Sequence, residues 1–441
     1  MSAKLERTTF AASRAAEYFD ARQLSTLTGT PTNEFANVVL KELVDNSLDA
    51  CETAGVAPKV GIEVTQRLTE DGTPGGTRIR VEDNGPGIPS EVVRRVIDYD
   101  VRVSDKAAYR SPTRGAQGNA LKTVIGIPYA LGSREPIRVV AGDGVLHTIA
   151  PSIDPAGNVD IGHEESNGLP HNGGTTVQVQ VTPAGDNTQD FHPLHLVRSF
   201  AAFNPHATFG YQGNTLYSET SEIYKSTRDT VKKYVPSQPT SPHWYSDESL
   251  KVLVFSYIAH ARRGGTNLPL GTFVRQFAGL SSTDFEDHPE RVGMLLTAMK
   301  AHAKEPKAAS LGEVGKDHFR AFFESIYEVD EFKYAKCSST LPSGLPYTFE
   351  FALATLEGPG HLYCGVNFSP TFGDPLEGTT LAGPEFKEGG IRGFLSRGYA
   401  LPETDDTWFR TPASVAVAAH IVTPAPLFLD RGKTRLNMEG A

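Results

Sequence analysis

The sequence predicts an α+β fold divided into two or three domains, and three observations point to it. At 441 residues the chain exceeds what one ordinary hydrophobic core holds. Apolar residues recur at helical spacing in some stretches and alternate at strand spacing in others. A cluster of proline, serine and threonine from Pro236 to Pro242 separates a mixed region from a helical one.

Residues from about 10 to 55 read as helical, with Ala15, Tyr18 and Phe19 and then Phe35, Val38, Val39, Glu42, Leu43 and Asn46 at helical spacing. From about 58 to 225 strands and helices mix. Val60 to Val64, Thr77 to Val81 and Thr175 to Val181 alternate like half-buried strands. After the Pro236–Pro242 cluster a helical block runs to about residue 332, and strands return at Thr348 to Leu353, His361 to Val366 and Ser414 to Ala418. There is no internal repeat.

Composition narrows the function. Hydrophobic residues make up 39% and charged residues 21%, the balance of a folded soluble chain. The longest apolar stretch, roughly Ala413 to Val422, is about half of what a membrane span needs, and no signal-peptide pattern follows Lys4, Glu6 and Arg7. Three cysteines, none in a C-x-x-C pair, argue against a disulfide framework or a structural zinc. The expected compartment is the cytoplasm, with no membrane partner. A net charge of −10 and a pI near 5.7 exclude a generally basic nucleic-acid binder. Any DNA contact is then confined to one face or supplied by a partner.

Four segments carry candidate chemistry. In the run Lys41 to Ala50, Glu42 and Asn46 lie one helical turn apart on one face, with Leu40, Leu43 and Val44 on the other. A carboxylate so placed can take a proton from an attacking water, and the amide oxygen can hold Mg²⁺. An amphipathic helix with a solvated acidic face gives the same pattern. In Val81 to Pro89, Asp83 ends a strand before a glycine-rich turn. Its carboxylate can accept an exocyclic amine such as adenine N6, and Gly85 and Gly87 let backbone approach a flat ring; an ordinary Asx turn would also fit. In Arg114 to Val124, Gly115 and Gly118 precede a helix start whose free N–H groups suit phosphate, with Lys106, Arg114 and Lys122 as nearby cations. In Gly173-Gly-Thr-Thr-Val, Thr175 places a hydroxyl at the head of a strand.

The order E-x-x-x-N, D-x-G-x-G, G-x-x-G-x-A and G-T resembles the four signature boxes of the GHKL, or Bergerat-fold, ATPases. That resemblance implies ATP and Mg²⁺ as cofactors, Glu42 as general base, Asn46 as the Mg²⁺ ligand and Asp83 as the adenine-reading acid. It also implies Gly85 and Gly87 as the base-stacking turn, Gly115 and Gly118 as the phosphate lid, and Thr175 beside the adenine. Gln117, Asn119 and Ala120 of the lid segment, with Lys106 and Arg114, complete the expected nucleotide contacts.

Within that class the arm from Ser13 to Gly29 and the Lys41–Ala50 box look most like the B subunit of type IIB DNA topoisomerases. Three domains follow from the resemblance: an arm and Bergerat α/β sandwich over 1–235, a helix–two-turns–helix-like insert over 243–328, and a split β-α-β transducer over 329–441. Lys433, on a turn after Pro426 to Asp430, is expected to reach the γ-phosphate, although a solvated turn lysine fits the same sequence. The family's transducer continues into a long helix that docks a DNA-cleaving A subunit, whereas this sequence stops at Ala441. Asp98-Tyr99-Asp100 reads as helix surface rather than a cleavage centre. The implied function is an ATP-hydrolysing subunit that forms a homodimer with ATP and works with DNA and an A-subunit-like partner. An ATP-gated clamp or signalling ATPase in repair or phage defence is the alternative.

Overall fold

The computed structural model describes residues 14–68, 74–99, 108–114, 120–167, 173–181, 190–214, 219–235, 237–281, 291–341, 343–379, 387–397 and 409–426, with 428 and 436. Lys106, Gly115, Gln117, Gly118, Asn119 and Lys433 lie outside this set.

The chain opens with α1 (Ala21–Thr28), capped by the Asp20 carboxylate on the Gln23 N–H at 2.9 Å and ended by Gly29 in the left-handed region. α2 (Phe35–Thr53) buries Val39, Leu40, Leu43, Val44 and Leu48, as its periodicity predicts. Then come β1 (Lys59–Leu68), β2 (Pro74–Asp83), α3 (Ser90–Val96), α4 (Ala120–Ala130), β3 (Ile137–Val140), β4 (Leu146–Ile153), β5 (Val159–Ser166), β6 (Thr176–Val181), α5 (Pro193–Phe203), β7 (Thr208–Asn214) and β8 (Glu219–Tyr224). Their eight strands form one sheet in the order β5-β4-β3-β6-β2-β1-β7-β8. The alternation expected at β1, β2 and β6 is the reason: Val60, Ile62, Val64, Ile79, Val81, Val177, Val179 and Val181 all point into one core. Helices α2, α4 and α5 pack side by side over that sheet. Asp98 and Tyr99 follow the end of α3 rather than sitting on a helix surface. Tyr99 packs against Tyr18 and Phe19, and its hydroxyl donates to the Lys122 carbonyl.

The segment 14–28 lies on this same layer. Gly126 of α4 has no room for a side chain, because a Cβ there would stand 1.9 Å from the Tyr18 carbonyl oxygen.

A second region holds β9 (Lys232–Lys233), α6 (Asp247–Arg262), α7 (Leu270–Arg275), α8 (Val292–His302), β10 (Gly312–Glu313) and α9 (Lys316–Glu324), with β9 and β10 paired as a short ribbon. Ser246 and Ser249 form a reciprocal cap at the start of α6. The helical pattern ends sooner than expected. α9 stops at Glu324 and β11 (Val329–Thr340) begins within the stretch read as helical, its outward positions occupied by charges that hid the alternation.

The third region adds β12 (Pro346–Val366), β13 (Ser369–Pro370), α10 (Gly390–Ser396) and β14 (Arg410–Val422) to β11. The first half of β12 lies antiparallel to β14, from Thr348 opposite Val422 to Thr355 opposite Val415. Its second half returns along β14 in the opposite sense, Leu362 opposite Val417 through to Val366 opposite Ile421, so the partner numbers rise together. One strand thus clasps another, and α10 packs against β14. Ile391 and Leu395 of α10 are buried with Leu362, Cys364, Val415, Val417 and Ala419 in a separate core.

Candidate nucleotide site

The strand β2 delivers Asp83 to the edge of a cavity of about 400 Å³, within the range of small-molecule sites. Leu43, Asn46, Ser47 and Ala50 of α2 form one wall, Val92, Val93 and Val96 of α3 another, and Val81, Val139, Ile149 and Val177 of the sheet the floor. The lining is apolar apart from a few groups at one end, an arrangement that takes a flat heteroaromatic ring and reads its edge.

Asp83 and Thr175 make that polar end. The Asp83 Oδ1 accepts the N–H groups of Gly85 at 2.9 Å and Thr175 at 3.2 Å, and Ser47 donates to the same carboxylate. Burial pushes the Asp83 carboxyl above its ordinary value, against the pull of these donors. The Thr175 hydroxyl oxygen accepts the Ile88 N–H at 2.9 Å, leaving its proton for a ligand. The glycines keep this corner thin. Gly87 has φ +75°, and a Cβ on it would stand 2.2 Å from the Cα of Gly142; one on Gly174 would stand 1.8 Å from the Asp83 carbonyl oxygen. Gly85 packs on Cys51. Burial pushes that thiol up to about 12, so this cysteine is inert packing behind the turn.

The expected residues are gathered only in part. Asn46, Asp83, Gly87 and Thr175 line the cavity, and Gly85 backs it. Asn46 is exposed and Glu42 half-buried, one turn earlier on α2 and outside the lining itself. Ala120 begins α4. Arg114 is elsewhere. Its guanidinium is fully buried, 3.1 Å from Asp49 and 2.9 Å from Glu52, with Asn204 as a further acceptor and the Phe368 carbonyl at 3.3 Å. The carboxylates of a neighbouring stripe of α2 hold it there, so the reading of Arg114 as a phosphate contact gives way to a structural one. Lys122 likewise donates to the Asp98 carbonyl, at 2.8 Å. The residues missed are Ser47, Gly142 and Gly174. Ser47 falls between Leu43 and Ala50 on the lining stripe, where small residues at helical spacing were the available signal.

Residues 33–185 match the family model described as "Histidine kinase-, DNA gyrase B-, and HSP90-like ATPase". This segment is a GHKL ATPase domain. Its relatives include the B subunit of type 2 DNA topoisomerase 6 from Archaeoglobus fulgidus, 30% identical over 239 residues, or 52% of this chain and 36% of the relative. The corresponding protein of Methanosarcina barkeri is 24% identical over 361 residues, 77% of this chain and 55% of the relative. That of Natronomonas pharaonis is matched over only 24% of its length. The chain therefore spans about a quarter to about half of the length of these relatives. Among solved structures, the ATPase region of Saccharomyces cerevisiae topoisomerase II overlaps 91% of this chain and 76% of that one, at 10% identity and a TM-score of 0.41, too loosely to carry an argument. Among the described residues no helix is long and apolar enough to cross a membrane.

Proposed function

We propose that this chain binds ATP with adenine in the cavity beside Asp83 and Thr175, hydrolyses it, and uses the bound state to bring two copies together. The observation that supports this most is the meeting of three things: an adenine-sized apolar cavity, a carboxylate–hydroxyl pair at its end, and a helix carrying Glu42 and Asn46 along its wall. Asp83 accepts the exocyclic amine, and Gly87 admits the ring. Glu42 takes the proton of the attacking water as general base. Asn46, exposed on the wall, has the neutral oxygen that Mg²⁺ favours, and the ion would neutralise phosphate charge there. Lys433 is the candidate γ-phosphate contact from the third region. The relatives support reading the chain as the ATPase component of a type IIB topoisomerase-like complex, acting on DNA with an A-subunit-like cleaving partner.

The test is Glu42→Gln. Turnover should fall about 10²–10⁴-fold, the usual share of a general base, while ATP binding stays near wild type. ATP-dependent dimerisation, read by light scattering with a non-hydrolysable analogue, should persist in this variant. Residues 14–28 pack on the chain's own α4, so a truncation that probes the arm has to spare them. Normal turnover by Glu42→Gln overturns the catalytic assignment, and a mass independent of nucleotide overturns the gating.

A further inference from the structure

At the far edge of the large sheet the hairpin β4–β5 sets three side chains on one face. His147 pairs with Glu165 across the hairpin and Ile149 with His163, so His147, His163 and Glu165 project together. The His147 Nδ1 lies 2.9 Å from the His163 Nε2 and 3.6 Å from the Glu165 Oε1, and that oxygen is 3.8 Å from the His163 Nε2. A point equidistant from three atoms so spaced lies about 2 Å from each, the bonding distance of zinc to imidazole and carboxylate.

The surroundings settle which nitrogen is free to bind. The Ser90 hydroxyl donates to the Asp143 carboxylate at 3.0 Å, so its oxygen accepts from the His147 Nε2, 2.8 Å away. His147 therefore carries its proton on Nε2 and turns a lone pair on Nδ1 toward His163. A ligating histidine is held by its other nitrogen in just this manner, and the Ser90–Asp143 pair supplies that support. Burial and the nearby cation Arg94 depress the His147 pKa, with Glu165 opposing them. The His147 side chain is fully buried, while His163 and Glu165 retain 16% and 32% exposure, giving an ion a way in. Arg94 grips both Glu165 oxygens, at 2.6 and 2.8 Å, and must yield Oε1 to an ion while keeping Oε2. The two rings lie within 5° of parallel. In that setting a single shared proton is the competing occupant of the gap.

We propose that His147, His163 and Glu165 form a binding site for a zinc-class divalent ion, which clips β4 to β5 next to Ser90 and Arg94 of α3. The low cysteine count, which argued against a structural zinc, is silent about a histidine–carboxylate set. Because α3 and Ile149 also wall the nucleotide cavity, the ion would brace that wall from behind. This proposal does not depend on ATP hydrolysis.

The experiment uses the full chain stripped with chelator and titrated with ZnCl₂ in the absence of nucleotide, with bound metal counted after desalting. One equivalent is expected to bind and to raise the melting temperature. His163→Ala and Glu165→Gln, at partly exposed positions, should each weaken binding about 100-fold or more. Ser90→Ala, which removes only the support of His147, should weaken it about 10–100-fold at unchanged stoichiometry. Circular dichroism in chelator checks that each variant is folded. No zinc uptake by the wild type overturns the site and leaves a proton shared between two histidines. Equal uptake by His163→Ala places the metal elsewhere and also overturns it.

Discussion

Two stripes of α2, roughly 100° apart around one helix, do opposite things. Asn46 and Ala50 line a cavity open to a ligand, and Glu42 stands one turn before Asn46 on the same stripe. Lys41, Asp45, Asp49 and Glu52 face inward and are locked. Lys41 Nζ lies 2.7 Å from Asp45 and 2.8 Å from Ser369, and Ser369 donates to Asp45 at 2.8 Å. Glu52 gathers Arg114, Lys233 at 2.6 Å and His206 at 2.9 Å. Its carboxyl bears the cost of burial, yet Arg114 and Lys233 hold it well below the usual range. Lys233 takes the opposite share: burial and repulsion from Arg114 bring it down to about 8. One stripe leaves charge available for chemistry; the other uses charge to join three regions of the chain at a point adjoining the site.

The contrast is most exposed at Arg114. Arg114→Met strands Asp49 and Glu52 and should remove about 3–5 kcal/mol of folding stability, as breaking a buried ion cluster does. Urea unfolding measures it, and a loss under about 1 kcal/mol would erase the distinction between the stripes. On the open side Asp83→Asn should leave stability nearly unchanged. It should weaken ATP binding by about 1–3 kcal/mol, the value of a lost charged hydrogen bond, in a calorimetric titration.

A pH experiment sharpens the comparison further. Between about pH 8 and the ordinary lysine value of 10.5, the unfolded chain holds the Lys233 proton more firmly than the folded one. Stability from this group therefore rises with pH across that window, by at most about 1.4 kcal/mol per unit. Wild type should gain on Lys233→Met over that range, and parallel profiles would mean that Lys233 keeps its proton. The smallest effect belongs to Ser369→Ala, about 1 kcal/mol from two hydrogen bonds lost to a pair that can still close on itself.

The open stripe was legible in the sequence because its logic is local. Glu42 and Asn46 are one turn apart, and Asp83, Gly85 and Gly87 sit in one turn of chain, so spacing alone assembled them. The closed stripe was not legible. Nothing in the spacing singled out its carboxylates, since Arg114, Lys233 and Ser369 come from distant segments that periodicity cannot bring near. The same reason misassigned Arg114, which neighbours a glycine-rich lid in sequence and a carboxylate cluster in space. Among strands, β1, β2 and β6 were found because one face is plainly apolar. β5 and β11 were missed because the charges of edge positions masked their alternation.

The clasp of β12 around β14 sets an order of events. Each half of β12 finds its partner only when residues 410–422 arrive between them, so neither half can complete its hydrogen bonds while the chain upstream emerges first. During synthesis the third region must wait with Phe349, Leu362 and Val366 uncovered along open strand edges. Until that strand arrives, these apolar edges need shelter from other chains.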